Sequence, residues 1–449
     1  MCDRGLFLYQ FFSIIVPLKA VNSIMNKRNW LWLAILPILT ILVLNSSQPE
    51  SNLPTRENEV PERIKLTNEA SDLPALEPID SMVNRVMRSL RLEGATVALV
   101  KDEKLVYAKG FGYADKDTKE MVEPYHRFRI GSVSKMITAI TVLKLVDDGK
   151  LSLDDYVFGE KGMLKGGPYK EVRNRNVYNI KVKHLLNHTS GWSLITYGDP
   201  MFIPHKIHKM DNVNYPIEFD DVVHFVLSRH LPYRPGTRFD YSNFGYVLLG
   251  RVIEATTGDD YEEWVQENVL EPNGINNMAI AGNLEKDRLK NEVKYYDYSA
   301  DNQQLSFTGS GKMAYKPYGA DDIEMLGPAG GWVATSVDLM RVLVMVDGYS
   351  RRYKDILSDD LIDKMVNGVG GVKRPLGWRS VRGDHWWRTG TLSGTNALLT
   401  RDLNGYSWVI VSNTTPRRGS FPSTSRWAIR EAMKMVKNWP SHDLFEIAE

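Results

Sequence analysis

Strand-forming sequence sits at the two ends of this chain and is nearly absent from its middle. Residues 96–100 (TVALV) and 104–113 (KLVYAKGFGY) are rich in β-branched and aromatic side chains, with a polar turn at 101–103 between them. Far down the chain, residues 396–401 and 406–412 repeat the pattern around a turn at 402–405. The stretch between, roughly 135–345, reads mostly as helix and loop. An isolated two-stranded hairpin is marginal in water, so the two distant pairs are expected to join in one sheet. A helix is expected from near Asp80, because Ile79, Met82, Val83, Val86, Met87 and Leu90 recur at i, i+3, i+4 and i+7, with Gly94 as its stop. A closing helix is expected over 425–437. The fold class is therefore α/β in the α+β sense: an antiparallel sheet from both chain ends, flanked by helices, with a mostly helical inserted subdomain. No internal repeat or low-complexity tract interrupts it.

Composition removes several function classes. Lys+Arg (56) nearly cancels Asp+Glu (55), so the chain has no electrostatic footprint for nucleic acid. Its single cysteine, Cys2, excludes a disulfide framework and Cys-based zinc or iron–sulfur sites. A hydrophobic fraction of 43% excludes global disorder.

Residues 30–44 (WLWLAILPILTILVL) are apolar except for Thr40 and follow Lys27 and Arg28. The run is shorter than the roughly 20 residues of a membrane span. It fits the apolar core of a secretory leader, or an uncleaved anchor, since no A-x-A site follows. With no cysteine after it, lipid attachment to cysteine is excluded there. Residues 5–18 form a weaker apolar patch, and Met25 is read as the functional start, with MNKRNW as a charged leader. Residues 45–78, rich in Pro, Glu, Asn and Ser, read as a solvated linker. The expected organisation is a leader or membrane anchor over 1–44, the linker over 45–78, and a globular unit over 79–438. Its helical insertion runs over roughly 150–340, and a tail covers 439–449.

Three short segments carry chemistry. In RFRIGSVSKMITAITVLKL (127–145), Ser132 and Lys135 lie three apart at the start of an apolar helix, which places them on one face. A helix N-terminus favours negative charge, so it helps ionise the serine and keep Lys135 neutral. A desolvated lysine can then take the serine proton. Taken alone, a serine there reads first as a helix cap. In RPGTRFDYSNFGYVLLG (234–250), Tyr241 offers a phenol for proton relay, and Asn243 an amide that both donates and accepts. In HWWRTGTLSGTNA (385–397), Arg388, Thr389 and Gly390 combine a cation, a hydroxyl and a residue that lets backbone approach closely. Alone, that segment is equally an edge strand with a solvated arginine.

In this order, Ser-x-x-Lys, Tyr-x-Asn and basic-Thr-Gly resemble the penicillin-recognising serine hydrolases, and within them the class C beta-lactamase-like branch, the beta-lactamase-related serine hydrolases. IKVKHLLNHTSGW (180–192) resembles that branch's "HLL-x-HTSG" element, and PAGGWVATSVDLMR (328–341) its "AGG…S-x-x-D" loop. The resemblance runs from about residue 79 to 437. It implies Ser132 as the acylated nucleophile, Lys135 as its base and Tyr241 as an aid to proton transfer. It further implies Asn243, Arg388 and Thr389 as substrate-binding residues, and the backbone N–H groups of Ser132 and Thr391 as an oxyanion hole. No metal or organic cofactor is implied.

One departure matters: the third motif usually begins with Lys or His, and here it is Arg388. Arginine stays protonated and cannot shuttle a proton, though it can clamp a carboxylate. His188 is expected to be structural, and Gly330-Gly331 to serve tight backbone geometry. The run Gly309-Ser310-Gly311-Lys312 is read as a plain loop, because Ser306 stands where a phosphate loop needs its first glycine. Neither G-x-S-x-G nor H-E-x-x-H occurs.

The expected protein is an exported or membrane-anchored serine hydrolase of the bacterial periplasm or outer face of the inner membrane, with secretion as the alternative. Its expected substrates are D-amino-acid peptides, small esters or beta-lactam-like amides. The rivals are an esterase unrelated to the cell wall and a non-catalytic peptide-binding or membrane-assembly member of the same family.

Overall fold

The pairing that organises the molecule joins strands from near the start and near the end of the described residues. In this computed structural model, which describes residues 65–349 and 351–448, the strands run in chain order as follows. They are β1 (Gly94–Lys101), β2 (Lys104–Asp115), β3 (Glu120–Met121), β4 (Phe128–Arg129), β5 (Ala279–Ile280), β6 (Gln303–Leu305), β7 (Met313–Tyr315), β8 (Trp332–Ala334), β9 (Ser380–Arg382), β10 (His385–Leu392), β11 (Thr395–Arg401) and β12 (Tyr406–Ser412). The main sheet has seven strands in the order β3-β2-β1-β12-β11-β10-β9. Its seam is antiparallel, with Val97 opposite Ile410 and Leu99 opposite Trp408. Thus the four expected strands form and meet as the sequence required.

Both faces of the sheet are covered, which is why β1 is buried along almost its whole length. Val97, Leu99, Trp408 and Ile410 pack against helix α1 (Glu77–Leu90) and the closing helix. Ala98, Val100, Val409 and Val411 face the other way, into the larger core. The period of two along each strand produces this division. In that second core α2 (Ser134–Asp147) packs on α3 (Asn243–Thr257), while α4 (Ser336–Val344) packs on the sheet at β1 and β12. The closing helix is α5 (Phe421–Met435). A hydroxyl pair crosses the layers, Thr96 Oγ1 to Ser336 Oγ at 2.8 Å, with both side chains buried.

Several boundaries differ from the sequence reading. Helix α1 starts three residues earlier and ends at Leu90, where Arg91 takes the left-handed conformation at φ 56°. Gly94 instead opens β1, and a Cβ there would lie 2.2 Å from the Tyr113 carbonyl oxygen. The linker reading fails over 65–76, which packs on β2. Ser71 Oγ donates to the Ala108 carbonyl and accepts from the Ala108 amide, both at 2.9 Å. Asn68 Oδ1 accepts from the Gly110 amide at 2.7 Å. Local polarity concealed this, because these side chains satisfy strand backbone rather than water. The tail reading also fails: Leu444 and Phe445 are buried, and Asp443 accepts from the Leu105 amide at 3.0 Å. Gly309 through Lys312 lie in the connection between β6 and β7. The leader, Met25 and the linker up to 64 lie outside the described residues. Among the described residues, no helix is long and apolar enough to cross a membrane.

Candidate active site

Ser132 sits in a single 3-10 turn, Gly131–Val133, that leads directly into α2. Helix α2 is apolar on most sides, and from Ser134 to Leu143 every side chain is buried. Lys135 is therefore fully buried one turn after Ser132. Its ammonium donates to Ser132 Oγ at 3.4 Å, to Asn243 Oδ1 at 2.6 Å, and to the Ala329 carbonyl oxygen. The last acceptor comes from the Gly327–Gly331 turn, held on α2 by Thr138, whose hydroxyl donates to the Pro328 carbonyl at 2.6 Å. Gly330 and Gly331 there provide space: a Cβ on Gly331 would lie 2.4 Å from the Ile323 carbonyl oxygen.

Tyr241 and Asn243 come from the start of α3. Ser242 caps that helix by accepting from the Gly245 amide at 3.0 Å, which presents its two neighbours to Ser132 and Lys135. Tyr241 Oη and Ser132 Oγ share a hydrogen bond of 2.8 Å. The Tyr241 ring also lies 5.0 Å from the Lys135 ammonium.

Strand β10 closes the third side. Gly131 has φ 51°, and a Cβ on it would lie 2.7 Å from the Thr391 amide nitrogen. A Cβ on Gly390 would lie 1.9 Å from the Ile130 carbonyl oxygen and 3.1 Å from the Ser132 amide nitrogen. Glycine at both positions is what lets strand and turn touch, and it brings the Ser132 and Thr391 amides to one junction. Among the described residues, β10 beyond residue 387 has no strand partner on its outer side, because β9 pairs only with 385–387.

Arg388 is not where the substrate-clamp expectation places it, nor is it solvated on an edge. It is 2% exposed, and its Nε donates to the Ser132 carbonyl at 2.7 Å. Its Nη2 donates to Tyr241 Oη at 3.1 Å. The alternation that aims Gly390 at the Ile130–Ser132 turn aims Arg388 the same way, so the guanidinium lies beneath the phenol. Thr389 and Thr391 alternate to the opposite face, and Thr391 Oγ1 donates to Asn396 Oδ1 at 3.2 Å.

These charges tune one another. Burial pulls the Lys135 ammonium down to about 8, and the Arg388 guanidinium pulls in the same direction against the opposing phenol. Burial alone would push the Tyr241 phenol up, but Lys135 and Arg388 bring it down to about 8. Two bases thus lie within hydrogen-bond reach of Ser132 Oγ, each able to exchange its proton near neutral pH. His188 adds no third. Burial holds its imidazole well below the usual range, helped by Arg388 and Lys135, and its ring packs at a tilt with its centroid 4.5 Å from that of Tyr241. Its Nδ1 accepts from the Ser242 amide at 3.2 Å, which suits a neutral supporting ring. Among the described residues, no group of three His, Cys, Asp or Glu side chains is placed to hold a metal.

Sequence reasoning missed two contributors. Asp199 accepts from Asn243 Nδ2 at 2.5 Å, from a loop that carries no periodicity or motif. The Ala329 carbonyl is a backbone group with no side-chain signature, though its loop was noticed. An apolar pocket lined by Trp192, Leu194, Tyr197, Phe225 and Phe244 opens beside Tyr241. A second pocket at the Thr391 end of β10 has Asp297, Asn302, Lys316 and Asp321 in its lining.

A serine held between a buried lysine and a depressed phenol, at the junction of an antiparallel sheet and a helical body, defines a serine hydrolase of the Ser-x-x-Lys type. The comparisons specify which. The family model described as Beta-lactamase matches residues 79–432, and the chain belongs to that family of serine hydrolases. The protein flp of Staphylococcus aureus (strain NCTC 8325 / PS 47) is 31% identical over 211 residues, covering 46% of this chain and 38% of that one. The chain thus matches less than half the length of this curated relative. The octameric penicillin-binding protein homologue from Pyrococcus abyssi is similar at 25% identity and a TM-score of 0.58, covering 82% of this chain and 79% of that one. D-amino acid amidase from Ochrobactrum anthropi SV3 shares the fold at 20% identity and a TM-score of 0.61, over 81% of this chain and 99% of that one.

Proposed function

We propose that this protein is an exported or membrane-anchored hydrolase that acylates Ser132 with D-amino-acid peptides or their amides and releases the acyl group to water. The observation that carries the reading is the grouping of Ser132, Lys135 and Tyr241 within hydrogen-bond reach, with a buried guanidinium beneath the phenol. Lys135, as the neutral amine, takes the Ser132 proton as Oγ attacks the substrate carbonyl. The Ser132 and Thr391 amides receive the oxyanion. Tyr241 passes a proton to the leaving nitrogen and then draws one from the incoming water. The unpaired outer edge of β10 at 388–392 suits a substrate with an extended peptide backbone, which adds to a sheet edge by main-chain hydrogen bonds. The D-amino acid amidase among the fold neighbours is consistent with that substrate class. Export rests on residues 27–44 of the sequence, with their basic flank and apolar run.

The aromatic pocket beside Tyr241 favours a second reading, an esterase for substrates with an apolar group. A fluorophosphonate probe tests the shared chemistry: wild type labels covalently and Ser132→Ala does not. Equal labelling of both would sink the nucleophile assignment. Release of D-alanine from D-Ala-D-Ala peptides, set against hydrolysis of p-nitrophenyl esters, then separates the two readings. Protease accessibility of the protein on intact cells tests export.

A further inference from the structure

We propose that Asp199 is a positioning residue of this site, its carboxylate fixing which end of the Asn243 amide meets Lys135. The inference rests on the reading of Lys135 as the base for Ser132. An ionised carboxylate only accepts hydrogen bonds. Asp199 Oδ2 accepts from Asn243 Nδ2 at 2.5 Å, so the amide must turn its Oδ1 the other way, where it accepts from Lys135 at 2.6 Å. The reversed amide would set its NH2 against the Lys135 ammonium, donor to donor, and its oxygen against the carboxylate. Asp199 is itself held, because its Oδ1 accepts from the Met201 amide and caps the turn Pro200–Phe202.

The geometry also gives this acid a charge role. Lys135 faces the Tyr241 phenol, the Arg388 guanidinium, the Tyr246 ring at 5.4 Å and, across Tyr241, the neutral His188. Asp199 is the carboxylate that acts on it, favouring its charged form. With the amide pinned, one Asn243 N–H stays bound to Asp199 and the other is left to a substrate carbonyl. The same segment carries Leu194 and Tyr197 into the apolar pocket beside Tyr241. Pocket wall and amide orientation are thus set by one short stretch of chain.

The test uses the full chain with Asp199→Ala and Asp199→Asn. The asparagine variant retains an acceptor for Asn243 and removes only the charge. Two readouts are needed: steady-state ester hydrolysis, and the titration of the Lys135 Nζ followed by nitrogen-detected NMR. In Asp199→Ala, kcat falls by about 10- to 100-fold with KM within about threefold, because the amide that holds the base is no longer fixed. In both variants Lys135 titrates lower, by about 0.3 pH unit or more, because a negative charge near it is gone. Unchanged Lys135 titration in both variants, with kcat intact, would overturn the proposal. Should Asp199→Ala fail to fold, the titration in Asp199→Asn decides alone. Absence of Ser132 labelling in wild type would count against the hydrolase reading, whereas the Lys135 titration still decides the role of Asp199.

Discussion

Replacing Arg388 by Met removes one buried cation and keeps the volume of the side chain's stem. The guanidinium lies 3.1 Å from Tyr241 Oη, a separation at which unit charges interact by about 5 kcal/mol at an effective dielectric of 20. Water entering the vacated space weakens that figure, and a neighbouring opposite charge ordinarily shifts a group by about 1–3 pKa units, or about 1.4–4 kcal/mol. The Tyr241 phenol, held at about 8 with Arg388 present, should therefore rise by at least about one unit. Lys135 moves the same way, because Arg388 also disfavours its ammonium. Lys135, which must be neutral to take the Ser132 proton, becomes harder to deprotonate, so the acidic limb of kcat/KM moves to higher pH. Below the limb each unit costs a factor of ten, so activity at pH 7 falls by about 10- to 100-fold and recovers near pH 9–10. Arg388→Lys retains the charge and should leave the limb within about half a unit of wild type. The assay is p-nitrophenyl ester hydrolysis from pH 5 to 10, with thermal melts to confirm folding. A limb that stays put in a folded Arg388→Met protein would refute the claim that this arginine sets the acid–base behaviour of the Lys135–Tyr241 pair. The pair titrates as a unit, so the limb reports their joint behaviour.

Two further outcomes follow from the same geometry. Gly390→Ala places a methyl 1.9 Å from the Ile130 carbonyl oxygen, so β10 must retreat from the Ser132 turn. Both fluorophosphonate labelling and thermal stability should drop, the latter by about 1–3 kcal/mol, read from urea titrations of variant and wild type. Lys135→Met abolishes labelling yet stabilises the fold at pH 6 by about 1–2 kcal/mol, because a buried ammonium is replaced by a thioether. The sign is fixed by the depressed Lys135 value. Its penalty is complete below about 8 and fades as pH rises toward 10.5, so the gain must shrink across that window.

Much of the architecture was legible because periodicity acts locally. Val97 and Leu99 alternate with Ala98 and Val100, and the sheet reads them as two faces. Ser132 and Lys135 were legible for the same reason, since three residues of helix place them side by side whatever the rest of the chain does. Arg388 was found but misread. Its identity showed in the sequence, but its direction depended on β10 pairing with β11 so that Gly390 meets Ile130. Asp199 was invisible, because its partner Asn243 is brought to it by tertiary packing alone. Ser71 and Asn68 looked like linker residues because a polar side chain that satisfies a strand edge has the composition of one that meets solvent.

The seam between β1 and β12 sets a condition on how the protein can be made. Ala95 pairs with Ser412, so β1 has no partner on that side until residues 406–412 have been made. Loop closure over that separation is slow to reward, and until it occurs the first hairpin presents an open, apolar edge. Arg388 and the Thr391 amide arrive with the same late strands. A product truncated before residue 388 thus lacks both its seam and one wall of the serine site, and cannot persist as a partly active hydrolase.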